Sequence, residues 1–397
     1  MKRLLAGLLF AALCLTGLSA CGTDGTAEAD APSHENQAPQ EPPAPAPAPD
    51  PETVLRNAAQ AYTDRLSLEQ QLAQMFFVRC PETDAAALAE QYPIGGYLLF
   101  GRDFEGQTPD TIRETIRSYQ EAAATPMLIG VDEEGGTVVR VSSNPNFRAE
   151  KFRSPQALYR EGGLPLLIED AAEKDALLSS IGINVNFSPV CDVSTDPNDF
   201  IYARTIGQDA AATAACIREQ VTQMQADRMG MVLKHFPGYG SNADTHTGIA
   251  IDERPLETFR TSDFLPFAAG IESGAQSVLV SHNIVRCMDD ALPASLSPAV
   301  HEILRGELGF DGVVMTDDLI MEAITDYTGG ENAAVLAVQA GNDMLVSSDF
   351  VTQYNAVLAA VQDGRLDPAR IRESAVRVIR WKMQLGLIET EPAHSTE

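Results

Sequence analysis

The segment KHFPGYGSNADTHTG, residues 234–248, places four side chains capable of acid, base or binding chemistry within thirteen residues. Lys234 and His235 are adjacent and follow the apolar run MVL, whereas Asp244 and His246 lie two residues apart. A carboxylate close to an imidazole can fix the tautomer of the ring and raise its basicity. The Asp244–His246 pair is therefore a candidate general acid/base on a loop that could close over a substrate.

A further carboxylate, Asp317, follows the apolar run GVVMT. It could act as a nucleophile, bind a metal ion or cap the next helix, and its neighbour Asp318 could do the capping instead. Zinc held by His235, His246 and Asp244 is an alternative. Lys234 would place a positive charge beside that ion, and no His-Glu-x-x-His spacing occurs. We therefore expect neither a metal nor a cofactor.

Eight short apolar runs alternate with amphipathic stretches from residue 66 onward, and each run is bounded by Gly, Pro or polar residues. They are MFFVR (75), GGYLLF (95), MLIGVD (127), INVNFSP (183), MVLKHF (231), SVLVSH (277), GVVMTDD (312) and DMLVSS (343). Such runs are typical of buried parallel strands. Residues 108–124, 208–228 and 297–308 have helical patterns, the last with an N-cap Ser297 before Pro298. The alternation predicts a single (β/α)8 barrel of the TIM type. An open doubly wound sheet is the alternative, but no glycine-rich phosphate loop supports it.

The barrel interpretation makes the strand ends important, because active sites of this fold lie at the C-terminal ends of the strands. Nearly every predicted strand ends in a polar residue: Arg79, Asp132, Asn186 then Asp192, Lys234 with His235, His282, Asp317 with Asp318, and Ser347. Any one of them could be a turn residue. Together they predict a polar ring around one mouth of the barrel, which indicates an enzyme.

The N-terminal residues predict export and anchoring rather than folded structure. Lys2 and Arg3 precede a continuous apolar stretch, and LSAC at residues 18–21 resembles the lipobox of bacterial lipoproteins, in which the Cys is acylated. An ordinary signal peptide or a short transmembrane anchor is the alternative. We expect a signal peptide at 1–20, a lipidated Cys21 with a Pro/Ala-rich linker at 21–52, and the barrel domain at 53–390. The protein would be extracytoplasmic and attached to the cell membrane through its lipid.

Charge and cysteine content narrow the range of partners. The chain of 397 residues carries 28 Lys and Arg against 56 Asp and Glu, a net charge of -28 that disfavours binding to nucleic acid. The four remaining cysteines of the mature domain are Cys80, Cys191, Cys216 and Cys287, and they show no CxxC spacing. They predict small core residues rather than a zinc ribbon or a disulfide scaffold. We expect a monomer.

Five stretches in order along the chain resemble the bacterial β-N-acetylglucosaminidases of glycoside hydrolase family 3. They are GVDEEGGTVVR (130–140), GINVNFSPVCDV (182–193), ARTIG (203–207), KHFPGYGSNADTHTG (234–248) and VVMTDDLIM (313–321). The resemblance covers roughly residues 66–385. It implies that Asp317 is the nucleophile, His246 the acid/base and Asp244 its partner. It also implies that the sugar hydroxyls and the acetamide are held at the positions of Asp132, Arg140, Arg204, Lys234 and His235.

The implied reaction is retaining hydrolysis of terminal β-linked N-acetylglucosamine, with peptidoglycan fragments as the expected carbohydrate substrate because of the anchor. Asp318 leaves open an attack by the substrate's own acetamide, although alternation along a strand predicts that Asp318 faces away from the sugar. This sequence departs from the family pattern at Tyr239, where a His is usual, and at Thr137, where a basic residue is common. Its loop before DTH is also one residue shorter than in some relatives.

Three other functions remain open. A β-glucosidase or xylosidase of the same family would normally carry a second domain, and the chain ends soon after the predicted barrel. A phosphorylase is possible in principle because a neutral imidazole does not repel phosphate as a carboxylate would. A lipid-anchored sugar-binding protein with an inactive barrel is the non-enzymatic alternative.

Overall fold

The fold is a barrel of eight parallel strands, seen in a computed structural model that describes residues 50–240, 250–320, 324, 327–328 and 331–390. The strands are β1 Phe76–Arg79, β2 Gly96–Leu99, β3 Leu128–Val131, β4 Val185–Asn186, β5 Gly230–Phe236, β6 Ser277–Val280, β7 Val313–Thr316 and β8 Leu345–Ser347. All eight predicted strands are present, which confirms the (β/α)8 prediction.

The strands neighbour one another in chain order, and β8 pairs with β1. A parallel bridge between Met315 and Met344 joins β7 to the start of β8, where the Thr316 N–H donates to the Met344 carbonyl at 3.2 Å. The sheet therefore runs around a full circle. A short parallel pair, Ile251–Asp252 with Ile284–Val285, lies outside the barrel sheet.

Helices follow each strand and form the outer layer. The α-helices span Pro51–Thr63, Leu68–Gln74, Ala85–Gln91, Pro109–Ala122, Pro155–Ser180 (kinked at Gly163), Ala210–Ala226, Leu256–Thr258, Phe264–Glu272, Pro298–Glu302, Ala333–Ala340, Phe350–Gln362 and Pro368–Gln384. Two π-helical turns, Phe259–Asp263 and Ile303–Glu307, continue the helices before them. Short 3₁₀ helices occupy Gly101–Phe104, Phe200–Arg204 and Ala294–Leu296. Within the part of the chain described, no helix is both long and apolar enough to cross a membrane.

Local signals explain where several helices begin. Ser297 accepts a hydrogen bond from the Val300 N–H and precedes Pro298, as the sequence predicts. Asp50 caps the first helix by accepting from the Thr53 N–H at 3.1 Å, and Pro51 occupies its first turn. This helix begins within the last two residues of the predicted linker, because a capping carboxylate and a proline with a suitable φ favour helix initiation there.

The barrel interior is filled by the residues that alternate inward along the strands. Phe77 of β1 and Phe187 after β4 meet edge to face with their ring centroids 5.1 Å apart. Gly130 of β3 permits this contact, since a Cβ there would lie 2.7 Å from Phe77 and 2.8 Å from Phe187. Trp381 of the last helix belongs to the same apolar cluster and is fully buried.

A second apolar cluster lies between the strands and the outer helices and contains the outward-facing residues, such as Phe76, Val78 and Tyr97. Of the four cysteines, Cys80, Cys191 and Cys216 are buried and Cys287 is exposed, and all four are free thiols. Three of them are thus the small core residues that the sequence predicts.

Candidate active site

A cavity of about 360 Å³ opens at the C-terminal ends of the strands. Such a volume lies in the range of small-molecule sites, roughly 300–1,000 Å³. Its described lining consists of Arg79, Leu98, Phe100, Asp132, Val138, Arg140, Phe187, Arg204, Lys234, His235, Leu279, Asp317, Asp318, Ile320 and Val346. The floor is apolar, and the walls carry most of the charged groups.

Strand alternation explains why these side chains share one space. Phe77, Leu98, Val232 and Met315 belong to the barrel interior. The residues two positions further along each strand face the same side. They are Arg79, Phe100, Lys234 and Asp317, and all four line the cavity. Asp132 stands two residues after Gly130 in the same way. The cavity is therefore the layer directly above the packed core.

A network of alternating charges crosses one wall of the cavity. The ammonium group of Lys234 lies 2.6 Å from a carboxylate oxygen of Asp132 and 2.6 Å from one of Glu134. Arg204 donates to both oxygens of Glu134, from Nε at 2.9 Å and from Nη2 at 2.7 Å. Glu134 thus binds two cations that come from β5 and from the 3₁₀ helix after β4.

Burial and charge act against each other at Glu134. Burial favours the neutral acid, but the charges of Lys234 and Arg204 outweigh it and hold the pKa of Glu134 well below its usual range. The carboxylate is therefore ionised at neutral pH. Because its partners keep their donors pointed at fixed oxygens, the wall presents a preorganised set of polar groups to a ligand.

His235 is held by Asp192 from behind. The Asp192 carboxylate lies 2.7 Å from Nδ1 of the ring and accepts the backbone N–H groups of His235 at 3.1 Å and Tyr239 at 2.7 Å. Nε2 lies 3.0 Å from the Arg204 guanidinium, which can only donate. The proton therefore sits on Nδ1, and Nε2 accepts. Burial and the nearby Arg204 charge lower the pKa of His235, so the ring is neutral at pH 7.

Glu133 organises the loop that carries Arg140. It is fully buried and accepts the N–H groups of Arg140 and Val141 at 2.8 Å each, together with the hydroxyl of Ser142. The turn between them requires Gly135, whose φ is 103° and where a Cβ would lie 2.2 Å from the Arg153 carbonyl oxygen. The EEGG sequence therefore folds the chain back so that Arg140 reaches the cavity.

Asp317 stands one residue after β7, and its backbone N–H donates to the Val280 carbonyl of β6 at 3.3 Å. One of its carboxylate oxygens accepts the Asp318 N–H at 2.8 Å. The Asp318 carboxylate accepts the N–H groups of Ile320 and Ser348 at 3.2 Å each, and the Ser348 hydroxyl. His282 donates from Nε2 to the Asp318 carbonyl at 3.1 Å, which supports this turn from below.

The predicted ring of strand-end residues divides into two layers. Arg79, Asp132, Lys234, His235, Asp317 and Asp318 border the cavity. Asn186, Asp192 and His282 are buried behind it and bond to the backbone or side chains of cavity residues. The expectation that Asp318 faces away from the cavity is wrong in part: it borders the cavity because β7 ends at Thr316 and alternation stops there, although its carboxylate is engaged with Ser348.

The structure brings Asp132, Arg140, Arg204, Lys234 and His235, the sugar-binding residues implied by the resemblance, into the lining that also contains Asp317. The predicted acid/base pair, Asp244 and His246, and the lipidation site Cys21 lie outside the described residues. Among the residues that are described, no group of three or more His, Cys, Asp or Glu is placed to hold a metal ion. Both ring nitrogens of His235 are already bonded within the network.

Sequence reasoning missed Glu134 and Phe100. Glu134 stands in the quoted stretch GVDEEGGTVVR without a role, yet it is the carboxylate that joins Arg204 to Lys234. Its position beside two glycines in a strand-end turn was the available signal. Phe100 stands two residues after Leu98, so the strand alternation alone places it at the mouth.

Known proteins are similar to this chain over the same region. The model of the glycosyl hydrolase family 3 N terminal domain matches residues 67–381. A β-hexosaminidase of Xylella fastidiosa strain M12 is 34% identical over 257 residues, which cover 64% of this chain and 76% of that protein.

Two solved structures are similar over most of this chain. The family 3 β-N-acetylglucosaminidase of Paenibacillus sp. FPU-7 is 30% identical with a TM-score of 0.75, covering 83% of this chain and 65% of its own, so this chain spans just under two thirds of that enzyme. The β-N-acetylhexosaminidase of Beutenbergia cavernae is 28% identical with a TM-score of 0.70, covering 79% of this chain and 97% of its own.

Proposed function

Because the chain belongs to glycosyl hydrolase family 3 and is a glycoside hydrolase, we propose that it is a retaining, exo-acting β-N-acetylhexosaminidase that removes terminal β-linked N-acetylglucosamine. The observation that carries this proposal is that Asp317 borders the same cavity as Asp132, Arg140, Arg204, Lys234 and His235. The named relatives from Xylella, Paenibacillus and Beutenbergia support the choice of substrate.

Binding comes first. Carboxylate oxygens accept hydrogen bonds from sugar hydroxyls, and ammonium or guanidinium groups donate hydrogen bonds to the hydroxyl oxygens. The wall formed by Asp132, Lys234 and Arg204 therefore suits a sugar ring with several hydroxyl groups. His235 adds Nε2, an acceptor because Asp192 holds the ring proton on Nδ1. Because these groups are bonded to one another before a ligand arrives, little reorganisation accompanies binding.

The first chemical step is attack by Asp317 on the anomeric carbon. The carboxylate forms a glycosyl ester, and the bond to the leaving oxygen breaks while His246, as imidazolium, supplies the proton that this oxygen needs. Asp244 orients the imidazole and stabilises its charged form. The position of Asp317 next to the rigid end of β7 supports its role as nucleophile, because a fixed carboxylate can approach the sugar from one face only.

The second step returns the enzyme to its starting state. Neutral His246 takes a proton from water, the oxygen of that water attacks the anomeric carbon, and the ester to Asp317 breaks. Two displacements on the same carbon retain its configuration. In most retaining glycosidases a second carboxylate does the proton transfer, and here the Asp244–His246 pair takes its place.

The natural substrate class in this proposal is peptidoglycan and its fragments, reached by a protein attached to the outer face of the cell membrane through acylated Cys21. The apolar leader and the LSAC stretch support the anchor, and the Pro/Ala-rich residues up to 52 would act as a spacer. Replacing Cys21 by Ser is expected to move the protein from the membrane fraction to the soluble extracytoplasmic fraction. Retention in the membrane would contradict lipidation at this residue.

The test of the substrate is hydrolysis of a matched set of p-nitrophenyl β-glycosides. We expect cleavage of the N-acetylglucosaminide and at least a hundredfold lower kcat/KM for the glucoside and the xyloside, roughly the discrimination a buried polar contact provides. Equal rates on the glucoside would contradict the assignment. Release of sugar 1-phosphate in phosphate buffer would show a phosphorylase, and binding without turnover would show a sugar-binding protein.

A further inference from the structure

Arg254 is bonded to three separate parts of the chain. Its Nε and Nη2 donate to the Asp252 carboxylate at 2.9 and 2.7 Å. Its Nη1 lies 3.1 Å from both carboxylate oxygens of Asp263, and Nη2 also donates to the Gly238 carbonyl at 3.4 Å. The guanidinium carbon lies 4.3 Å from the Phe259 ring centroid. The planar fork thus binds two carboxylates and a backbone carbonyl at once, and we call Arg254, Asp252 and Asp263 the Arg254 cluster.

Both carboxylates of the Arg254 cluster are buried. The side chains of Asp252 and Asp263 are 2% and 1% exposed, whereas that of Arg254 is 25% exposed. Burial raises the pKa of Asp263 to about 6, and the positive charge of Arg254 opposes this shift. Buried ion pairs are weak evidence for a stabilising role, so the place of the cluster in the chain is the better guide to what it does.

The two glycines of the FPGYG stretch make room for the Arg254 cluster. Gly238 has a φ of 119°, and a Cβ there would lie 2.4 Å from a carboxylate oxygen of Asp263. Gly240 has a φ of 52°, and a Cβ there would lie 2.4 Å from the guanidinium carbon of Arg254. The backbone of residues 238–240 therefore lies directly against the cluster, in a conformation that favours glycine.

The cluster contacts the chain on both sides of the segment that carries the proposed acid/base. Residues 241–249 contain His246. The Arg254 guanidinium lies against the backbone of residues 238–240 on one side of this segment and binds Asp252 on the other. A bond that spans the two ends of a short segment reduces the number of conformations open to that segment. Arg254 therefore restricts where the residues between its contacts can lie.

The two ends of this segment are also attached to the barrel. Ile251–Asp252 pairs with Ile284–Val285, which lies shortly after β6. On the other side, the Tyr239 N–H donates to Asp192, the carboxylate that holds His235 in the cavity wall. The Arg254 cluster therefore joins two parts of the chain that are each fixed relative to the cavity.

We propose that Arg254 is a positioning residue for proton transfer: by joining the two ends of residues 241–249, it places His246 within reach of the leaving oxygen. This inference rests on the proposed function, because it assumes that His246 is the acid/base. Arg254 is not part of the described cavity lining, so it acts through His246 and not through the substrate. A proton donor must lie about 2.6–3.2 Å from the oxygen that it protonates, so a small displacement of the segment is costly.

The test compares two substrates that differ in how much they need the proton. The leaving group of p-nitrophenyl N-acetyl-β-glucosaminide departs with little protonation, whereas that of N,N′-diacetylchitobiose requires it. Arg254→Lys keeps the charge but loses the planar fork. We expect it to lower the ratio of kcat/KM for the disaccharide over the aryl glycoside roughly 10- to 100-fold, part of what a positioned acid contributes. Retained turnover of the aryl glycoside shows that the variant is folded.

Gly240→Ala tests the same contact without changing a charge. The added methyl group would displace the Arg254 guanidinium from the backbone before the segment. We expect the ratio to fall in the same direction as in Arg254→Lys. Because every charge of the Arg254 cluster is still present, this variant also decides the matter if Arg254→Lys does not fold. An unchanged ratio in Gly240→Ala, with the aryl glycoside still cleaved, would overturn the proposal.

The most selective comparison is made in the His246→Ala background. If Arg254 acts through His246, adding Arg254→Lys to His246→Ala changes the ratio by less than about twofold. Independent effects that multiply in the double variant would overturn the proposal. Equal losses on both substrates in Arg254→Lys alone would also overturn it, because they would show a role that is unrelated to the proton.

Arg305→Lys is the matched control. The Arg305 side chain is 21% exposed and pairs with the fully buried Asp343. It donates to the Gly312 carbonyl just before β7, at the end of the barrel opposite the cavity. We expect the ratio to equal that of the wild type. A fall as large as in Arg254→Lys would mean that loss of any buried arginine pair lowers the ratio, and it would overturn the positioning role.

Failure of the proposed function gives different results. A wild-type enzyme that cleaves neither substrate would refute the β-N-acetylhexosaminidase activity itself. A His246→Ala variant with the wild-type ratio would refute the acid/base role of His246, and with it the positioning role of Arg254. A lowered ratio in His246→Ala together with a wild-type ratio in both Arg254→Lys and Gly240→Ala would refute the positioning role alone.

Discussion

The ammonium group of Lys234 lies midway between two carboxylates, 2.6 Å from Asp132 and 2.6 Å from Glu134, with 3% of its side chain exposed. The first carboxylate faces the cavity and is 17% exposed, whereas the second is 1% exposed. Lys234 therefore links a group available to substrate with a group that is purely internal. A substitution of Glu134 should therefore affect substrate binding through Lys234 and Arg204.

Glu134→Gln tests how much this buried charge network contributes to the stability of the fold. An amide cannot neutralise two buried cations, so we expect a loss of about 3–5 kcal/mol in the free energy of unfolding at pH 7. The folded pKa of Glu134 is lowered, so the wild-type carboxylate stabilises the fold above pH 4.5 and this stabilisation is lost as the pH falls below that value. Chemical denaturation of both proteins at pH 7 and below pH 4 measures the difference.

Glu161→Gln is the control for that measurement. Glu161 also pairs with an arginine, Arg153, but their side chains are 61% and 47% exposed. Solvent screens this pair, and we expect a much smaller change than in Glu134→Gln. Similar losses in the two variants would mean that the buried network contributes nothing beyond a surface ion pair.

Asp192→Asn is predicted to weaken substrate binding through His235. The asparagine can still accept from the Tyr239 N–H, but its amide group can donate to the ring and so disturb the Nδ1–H tautomer that leaves Nε2 to accept from Arg204. We expect kcat/KM to fall roughly 5- to 100-fold, the cost of one unsatisfied buried group. The loss should appear mainly in KM. A fall in kcat alone would place Asp192 in the chemical step instead.

Lys382 is predicted to make stability depend on pH in the alkaline range. Its Nζ donates to Gln74 at 2.6 Å, and burial lowers its pKa from 10.5 to about 7. Between pH 7 and 10.5 the unfolded chain holds this proton and the folded chain does not, so the contribution of this group to stability rises with pH. Lys382→Met removes this pH dependence, which amounts to about 5 kcal/mol between pH 7 and 10.5.

The quantity to compare is the slope of the free energy of unfolding against pH. The absolute stability is less useful, because Met leaves the Gln74 carbonyl oxygen without its donor at every pH. Free energies of unfolding of both proteins at pH 7, 8.5 and 10 give the two slopes. Asp175 also titrates here, with a pKa raised by burial to about 8, but it does so in both proteins. Parallel curves would show that Lys382 stays protonated in the folded protein.

His246→Ala is predicted to discriminate between leaving groups. A p-nitrophenolate departs with little protonation, so cleavage of the aryl glycoside should suffer less than cleavage of a disaccharide. Asp244→Asn should shift activity in the same direction, because an unoriented imidazole is a poorer proton donor. Comparison of kcat/KM on the two substrates measures this, and equal losses would make His246 a binding residue.

Much of the site follows from pattern alone. The eight strands, the barrel and the inward positions of Arg79, Lys234 and Asp317 follow from apolar runs and from a period of two along each strand. The apolar run and the alternation of side chains are local features, and both recur in all eight strands. For this reason a single sequence suffices to predict them.

The roles of individual acidic residues do not follow in the same way. The chain has 56 Asp and Glu residues. The position of Glu134 in the sequence does not predict that it binds Arg204, seventy residues away, and Lys234, a hundred residues away. Asp192 and His282 end strand segments just as Asp132 does, yet they support the cavity from behind. Such contacts depend on how the loops fold back, which local periodicity does not determine.

The central claim is that Asp317 forms a covalent bond with the sugar. Asp318 provides the matched control, because it is the adjacent carboxylate but is bonded to Ser348 and Ile320. We expect Asp318→Asn to be labelled at the same position as the wild type, and Asp317→Asn to take up no label and to lose several orders of magnitude in turnover, roughly 10³-fold or more.

The most direct measurement is mass spectrometry of peptides from the wild-type enzyme after inactivation by a 5-fluoro-N-acetylglucosaminyl donor. We predict one glycosylated peptide, modified at Asp317, and a β-anomer as the first product of normal turnover by NMR. A label at any other residue, or no covalent label together with an oxazoline released from the substrate's own acetamide, would contradict it.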